Sequence, residues 1–285
     1  MTSKKLEFGD FSDQFRTLEN SEIVLLPVAY DATSTWIKGA DKGPQAILQA
    51  SYNLENYDIE TDFEVYRKGI YTDDILTPPQ DPEEMVRTVA SRTSEFLDTG
   101  KFCVVIGGEH SVSLGPVYAN CEKYDDLTIL QLDAHSDLRQ EFHGSRFNHA
   151  CVMARAKEKT RIVQVGIRSM DIEEKALVCQ QDIFFAKDIY NSKNWHQKVL
   201  DRIGKNVYIT IDLDVFDPSI MPSTGTPEPG GLFWYDIIGL MNQVFKYKRV
   251  TGFDVVEMCP RPDNKAPDFL AAKLIYKLLS YRFVD

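Results

Sequence analysis

Leu130-Gln131-Leu132-Asp133-Ala134-His135-Ser136-Asp137 turns within a few residues from an apolar run into three potential metal ligands at alternate positions. Alternate side chains of an extended segment point to the same side, so Asp133, His135 and, where the extension persists, Asp137 are expected to converge on one small volume. Carboxylate oxygen and imidazole nitrogen together suit hard to borderline divalent cations. Taken alone, the segment reads equally well as a strand followed by an Asp/Ser-rich turn. Two further stretches change the balance. Val207 to Asp217 is a second apolar run that ends in acids two residues apart, Asp212 and Asp214. Phe102 to Ile106 is a third, and it breaks into Gly107-Gly108-Glu109-His110-Ser111. His110, Asp133, His135, Asp137, Asp212 and Asp214 thus stand at three strand ends as candidate metal ligands.

At 285 residues and 43% hydrophobic, the chain can bury a sizeable core, and residues 1–285 read as one domain. A net charge of -11 without a dense basic run argues against a nucleic-acid surface, which needs clustered Lys and Arg. The five cysteines are odd in number and lack Cys-x-x-Cys spacing, so reduced thiols and a cytoplasmic location are expected. Met1 to Asp10 is polar, and no run approaches the ~20 apolar residues of a membrane span. A soluble, unprocessed protein with no membrane partner is the expectation.

In chain order, strand Glu22–Val28 precedes a small-residue loop, then a helix from Pro44 to about Asn56 and a strand over Gly69–Asp74. Pro82-Glu83-Glu84 opens a helix that ends near Gly100. Strand Phe102–Ile106, helix Val112–Tyr124, the strand at Leu127, a helical segment His149–Lys157 and strand Arg161–Ile167 follow. Glu173–Gln180 reads as helix, Ile183–Ala186 as strand and Asn191–Ile203 as helix. After the strand at Val207 and the Pro/Gly-rich loop Pro218–Gly231 come helix Trp234–Tyr247, strand Val250–Val256 and helix Asp268–Tyr281. This alternation implies crossover units, hence an α/β fold with a parallel sheet covered on both faces. Ligands of such sheets gather beyond the carboxyl ends of the strands, where every candidate above falls.

Gly107-Gly108-Glu109-His110-Ser111, Asp133-Ala134-His135-Ser136-Asp137 and Ile211-Asp212-Leu213-Asp214-Val215-Phe216-Asp217-Pro218 together resemble the motifs of the ureohydrolases, the family of agmatinase and arginase, in the family's order. Gly225-Thr226-Pro227-Glu228-Pro229-Gly230-Gly231 and Phe253-Asp254-Val255-Val256-Glu257 also look like family segments, so the resemblance runs from about Val24 to the C-terminus. It implies a three-layer α/β/α fold around an eight-stranded parallel sheet, two Mn(2+) ions per chain, and hydrolysis of a guanidinium compound to an amine and urea. Carried onto this chain, Asp133 and Asp212 bridge the ions, His110 and Asp137 complete one site, and His135 and Asp214 the other. The family also implies a homo-oligomer, trimer or hexamer.

The chemistry explains the ligand set. Water is a poor nucleophile at neutral pH, and two divalent ions lower its pKa. Glu257 resembles the carboxylate that clamps the guanidinium, orienting its carbon through paired hydrogen bonds. His149 stands where the agmatinase pattern places its proton shuttle, whereas His143 follows Asp137 too closely for the His-Gly pair of arginases. His196 reads as a packing or surface residue, Glu228 as a pocket wall or a stiffener of its loop, and Glu109 as a support for the ligands. Leu138-Arg139-Gln140-Glu141-Phe142 looks like agmatinase and carries no small polar reader of an amino-acid head. A small cationic guanidino substrate, agmatine, is expected, to be cleaved to putrescine and urea. Arg139 or Arg146 facing the pocket would turn the preference toward guanidinobutyrate or arginine. A zinc deacetylase needs only one site, and a non-catalytic relative would lack a ligand or the shuttle.

Overall fold

The computed structural model describes residues 5–284. Its strands are the apolar runs: β1 (Ile23–Pro27), β2 (Ile70–Thr72), β3 (Phe102–Ile106), β4 (Leu127–Leu132), β5 (Arg161–Ile167), β6 (Ile183–Phe185), β7 (Asn206–Asp212) and β8 (Arg249–Val256). β1, β3 and β4 are buried along their whole length, as expected for parallel strands covered on both faces. All eight form one sheet ordered β2-β1-β3-β8-β7-β4-β5-β6, and every pairing is parallel. The chain winds outward on one side through β1 and β2 and on the other through β4, β5 and β6. β7 and β8 then fill the gap between β3 and β4. The strands whose ends carry the candidate ligands, β3, β4 and β7, are therefore three of the four central ones, and the fourth, β8, leads to Glu257.

The helices are α1 (Gly43–Ser51), α2 (Pro82–Asp98), α3 (Leu114–Lys123), α4 (Val152–Lys157), α5 (Ala186–Tyr190), α6 (Trp195–Leu200), α7 (Trp234–Tyr247) and α8 (Ala266–Phe283). α2 shows how the sequence sets them. Asp81 caps its start by accepting the Glu84 N–H at 2.9 Å, Glu83 and Glu84 complement the helix dipole, and Gly100 takes the left-handed φ of 77° just past its end. Its Met85, Val86, Val89, Phe96 and Leu97 are buried with α3 and α4 against Val24, Leu26, Val105 and Ile129 of the sheet. The other face carries the larger layer, in which α1 and α5 to α8 bury Leu25, Val104, Leu130, Ile209 and Phe253. α8 is apolar nearly all round and lies between α1 and α7. This is the expected three-layer α/β/α architecture. No helix among the described residues is long and apolar enough to cross a membrane.

Several element boundaries differ from the sequence reading. The helix expected over Glu173–Gln180 is a single 3-10 turn, Glu174–Ala176, because the Glu174 side chain turns inward to hold a neighbouring loop. The helix expected over Asn191–Ile203 shortens to α6, since Asn191-Ser192-Lys193-Asn194 favour local side-chain bonds over helix. β6 stops at Phe185, and α5 starts at Ala186, which had read as strand. The strand over Gly69–Asp74 is trimmed to Ile70–Thr72. The segments opening at Val112 and His149 begin as 3-10 turns. α8 starts earlier, with Pro267 in its first turn.

Candidate active site

Asp212 ends β7, Asp133 stands one residue past β4, and His110 follows the Gly107-Gly108 turn after β3. Gly108 is required there. A Cβ at this position would lie 1.8 Å from the Tyr30 carbonyl oxygen, the atom that accepts the Glu109 N–H at 2.9 Å. Strand alternation carries the β4 run only as far as His135, which makes an isolated parallel bridge to Ser169. Asp137 is delivered differently from the sequence expectation. Its backbone is left-handed, φ 51°, and its carbonyl accepts the Met153 and Ala154 N–H groups at 3.0 and 3.1 Å. Glu257, just beyond β8, is also left-handed at φ 67°. Each such residue costs of order 1 kcal/mol, and here both are held by surrounding hydrogen bonds.

Five of the six candidate ligands form two groups that share one residue, and Asp137, which belongs to neither, stands beside the first through its contact with His110. His110, Asp133 and Asp212 place ligand atoms within 4.8 Å of one another, and so do Asp133, His135 and Asp214. Asp133 turns Oδ2 to His110 Nδ1 at 3.1 Å and Oδ1 to His135 Nδ1 at 3.7 Å. Asp137 Oδ2 lies 2.9 Å and Asp212 Oδ2 3.4 Å from His110 Nδ1, while Asp214 Oδ2 lies 2.9 Å from His135 Nδ1. His110 Nδ1 is buried within reach of three carboxylates yet has no partner in hydrogen-bonding geometry. It aims into the cluster as a metal ligand would.

The proton affinities report the crowding of charge. Burial works against protonating His135, yet Asp214 and Asp133 push it up to about 12. His110 is likewise raised, against its burial, by Asp133 and Asp137. Burial and the neighbouring Asp133 lift Asp137 to about 6, and burial with Asp214 and Asp133 raises Asp212 well above the carboxylate range. A divalent cation in each group would relieve this repulsion, and oxygen with imidazole nitrogen is the donor set that takes one. The residues therefore fit a pair of metal ions.

A buried polar layer orients this cluster. His110 Nε2 meets Thr210 Oγ1 at 3.0 Å, Thr210 donates to Asp254 Oδ1 at 2.7 Å, and Ser113 and Tyr208 donate to the same carboxylate at 3.0 and 2.8 Å. With Nε2 engaged in this way, Nδ1 is the atom that would offer its lone pair to a metal among the aspartates. Gln131 donates to Asp133 Oδ2 at 2.7 Å and is itself held by Gln164 at 2.6 Å. Glu174 Oε1 accepts both Ser136 Oγ–H and the Leu138 N–H at 2.7 Å, fixing the segment that carries Asp137. The Arg168 guanidinium donates to the backbone carbonyls of Gly166, Asp214 and Glu228, tying the Asp214 turn to the Pro-rich loop. Thr33, Gln131, Gln164, Glu174, Arg168, Thr210 and Asp254 were not singled out from sequence. For two of them a signal existed: Gln131 and Thr210 are polar residues inside apolar strands, each two positions before an aspartate ligand candidate.

The cluster floors a cavity of about 310 Å³ lined also by His149, Glu257, Trp36, Ile37, Phe142 and Met170. His149 Nδ1 lies 3.1 Å from Thr33 Oγ1, and that hydroxyl donates to Glu109, whose carboxylate also accepts from Ser111. Burial, then the charges of His110 and His135, hold His149 down to about 4, so it is a neutral base at pH 7. Burial lifts Glu109 to about 7 against its bonds to Ser111 and Thr33. Glu109 touches no ligand group directly and stands behind His149. Glu257 Oε1 accepts the His110 N–H at 2.7 Å, and burial with the Glu109 charge raises Glu257 well above its ordinary range. His143 does not line the cavity and packs edge-on to Phe142. His196 packs between α6 and α7, near Gln243 at 3.3 Å. Glu228 comes within 3.9 Å of His135 Nε2. Arg146 pairs with Glu158 on the surface, whereas Arg139 does line the cavity.

Comparison with known proteins agrees with this geometry. A model of the arginase family matches residues 21–280. The chain is 37% identical to N(1)-aminopropylagmatine ureohydrolase of Synechocystis sp. over 281 residues, 95% of this chain and 92% of that protein. It is 32% identical to agmatinase of Pyrococcus horikoshii, over 92% of each. The crystal structure of agmatine ureohydrolase of Thermoplasma volcanium superposes with a TM-score of 0.87 at 32% identity, covering 99% of this chain and 95% of that one.

Proposed function

The chain belongs to the arginase family and is a ureohydrolase that cleaves a guanidino group; on that premise we propose that it acts on agmatine or an N-alkylated agmatine, releasing urea and the corresponding amine. The observation that carries the chemistry is Asp133, shared by two His/Asp groups on the floor of a cavity that His149 and Glu257 also line. Manganese is the proposed ion, and His110, Asp133, His135, Asp137, Asp212 and Asp214 are the residues that would hold a pair of such ions. When bound, such a pair supplies activated water and positive charge against which a reaction can proceed at neutral pH.

This chain's own residues do the rest. Glu257 keeps Oε1 on the His110 N–H and offers Oε2 to a guanidinium N–H, which fixes the carbon over the cluster. The arriving cation also offsets the burial and the Glu109 charge that together raise Glu257. His149 is neutral before the reaction, so it can take a proton of the attacking water and deliver it to the tail nitrogen as the bond from that nitrogen to the guanidino carbon breaks. Thr33 sets its tautomer, because a hydroxyl that donates to Glu109 is left to accept from Nδ1–H, leaving Nε2 as the basic atom. Water adds to carbon, the C–N bond breaks, and urea and an ammonium product leave with atoms and charge balanced.

The tail is the finer question. Relatives named for agmatine and for N(1)-aminopropylagmatine both support a tail that is a polyamine cation. Specificity constants for urea release from agmatine, N(1)-aminopropylagmatine, guanidinobutyrate and arginine test this. Either polyamine compound is expected to lead, and a lead by either carboxylate compound overturns the assignment.

A further inference from the structure

Arg139 is the only Lys or Arg among the described residues that line the cavity, and so the one permanently cationic group there that could pair with a carboxylate-ended tail. It is already engaged. Its Nη2 lies 3.0 Å from Asp171 Oδ2, its guanidinium stacks 4.6 Å from the centre of the Phe142 ring, and its backbone N–H donates to Ala150 O at 3.1 Å. Asp171 is itself fixed from two directions. Its N–H donates to Glu174 Oε2 at 2.6 Å and its Oδ1 accepts the Glu173 N–H at 3.0 Å. Because Glu174 also holds Ser136 and Leu138, the pair shares a frame with the segment carrying Asp137. The two side chains are 32% and 33% exposed, so they face an incoming tail and are not shut away from it.

We propose that Asp171 is a specificity-determining residue, which cancels Arg139 on the cavity wall so that a guanidino compound ending in a carboxylate finds no partner while one ending in an amine meets no uncompensated positive charge. This rests on the ureohydrolase reading given above. Arg139 retains unpaired N–H groups, but a carboxylate that reached them would come beside the Asp171 carboxylate, and juxtaposed like charges are how binding sites reject wrong partners. The pairing thus performs by repulsion what the acidic cluster on the floor, shared by every guanidino substrate, cannot perform.

The test compares agmatine with 4-guanidinobutyrate, which have the same guanidino head and opposite tail charge. Specificity constants are measured for wild type, Asp171→Asn, Asp171→Ala, Arg139→Gln and the double variant Asp171→Ala/Arg139→Gln, each with metal content determined. Both Asp171 variants are expected to raise the guanidinobutyrate-to-agmatine ratio about tenfold or more, by freeing Arg139. The double variant is expected to return the ratio to about the wild-type value. An unchanged ratio in both Asp171 variants, or a rise that survives in the double variant, overturns the proposal. So does loss of metal in both Asp171 variants, which would assign Asp171 to the Glu174 frame alone. If wild type releases urea from neither compound nor from N(1)-aminopropylagmatine, the ureohydrolase reading fails and takes this inference with it; if it releases urea and only the ratio fails to move, this inference alone is wrong.

Discussion

Replacing Glu257 with Gln tests how the guanidinium is held, and the geometry sets the size of the effect. Oε1 is committed to the His110 N–H at 2.7 Å, and the backbone is anchored by the Glu257 N–H to the Gly108 carbonyl at 2.8 Å. Only Oε2 is left to face substrate, and it opens toward Gly225, where an added methyl carbon would sit 3.6 Å from it. Glutamine preserves the shape and can keep its oxygen on the His110 N–H, which puts an NH₂ group where Oε2 was. A charge-assisted hydrogen bond is then lost, about 1.5–3 kcal/mol, and a donor is turned against a donor. We expect about 3 kcal/mol in all, or about 150-fold in kcat/KM at tenfold per 1.4 kcal/mol. Most of the loss should fall on KM, because the contact is made in ground and transition states alike. Gly225→Ala is the steric counterpart: its φ is not left-handed, and the methyl enters the space beside Oε2 while pressing at 3.3 Å on the Ile37 carbonyl oxygen, so KM should rise about tenfold. Steady-state urea release with metal content held equal to wild type is the assay. A Glu257→Gln enzyme with kcat/KM unchanged would refute the clamp.

Three other outcomes are expected. His149→Asn should lower turnover by roughly two to four orders of magnitude with metal content retained, as for loss of a general acid/base, and His143→Asn should do far less; the reverse ranking would move the proton-transfer role to His143. His149 also makes the metal-stripped protein acid-sensitive. With its pKa about 4 folded and about 6.5 unfolded, only the unfolded chain binds the extra proton between those values, so its contribution worsens as pH falls from 6.5 to 4, by about 3 kcal/mol at most. Thermal unfolding of wild type and His149→Asn across that window should converge or cross as pH falls, and parallel curves would contradict the shift; heat is used because urea and guanidinium resemble product and substrate. Finally, Lys277 is buried in α8 and pairs with Asp58 at 2.7 Å and Glu60 at 3.0 Å. Lys277→Met leaves the buried Asp58 carboxylate unpaired and should cost about 3 kcal/mol, read as a fall in Tm, and an unaltered Tm would show that the pair contributes nothing.

What the sequence made legible was what has a period or a chemical type. The β3, β4 and β7 runs are nearly continuous apolar segments that lead within a few residues into His or Asp, so both the parallel sheet and the ligand candidates could be read directly. The route by which ligands reach one point was less accessible. Asp137 and Glu257 sit on left-handed backbone that no periodicity announces, and tertiary hydrogen bonds from Met153, Ala154 and Gly108 hold it there. The roles of Asp254 and Glu174 carry no local signal, because their partners, Thr210 and Tyr208 for one and Ser136 and Leu138 for the other, lie far away in the chain. The short helices α5 and α6 were blurred for a related reason, since packing against α7 and β5 compensates for sequences of weak helix preference.

The most direct test of the whole account is urea release from agmatine, followed while the metal-stripped chain is titrated with Mn(2+). Activity is expected to be absent at the start and to saturate at two equivalents per chain, and Asp133→Ala, which removes the residue shared by both His/Asp groups, should recover none of it. Full activity without added metal, saturation at one equivalent, or an active Asp133→Ala enzyme would contradict the account.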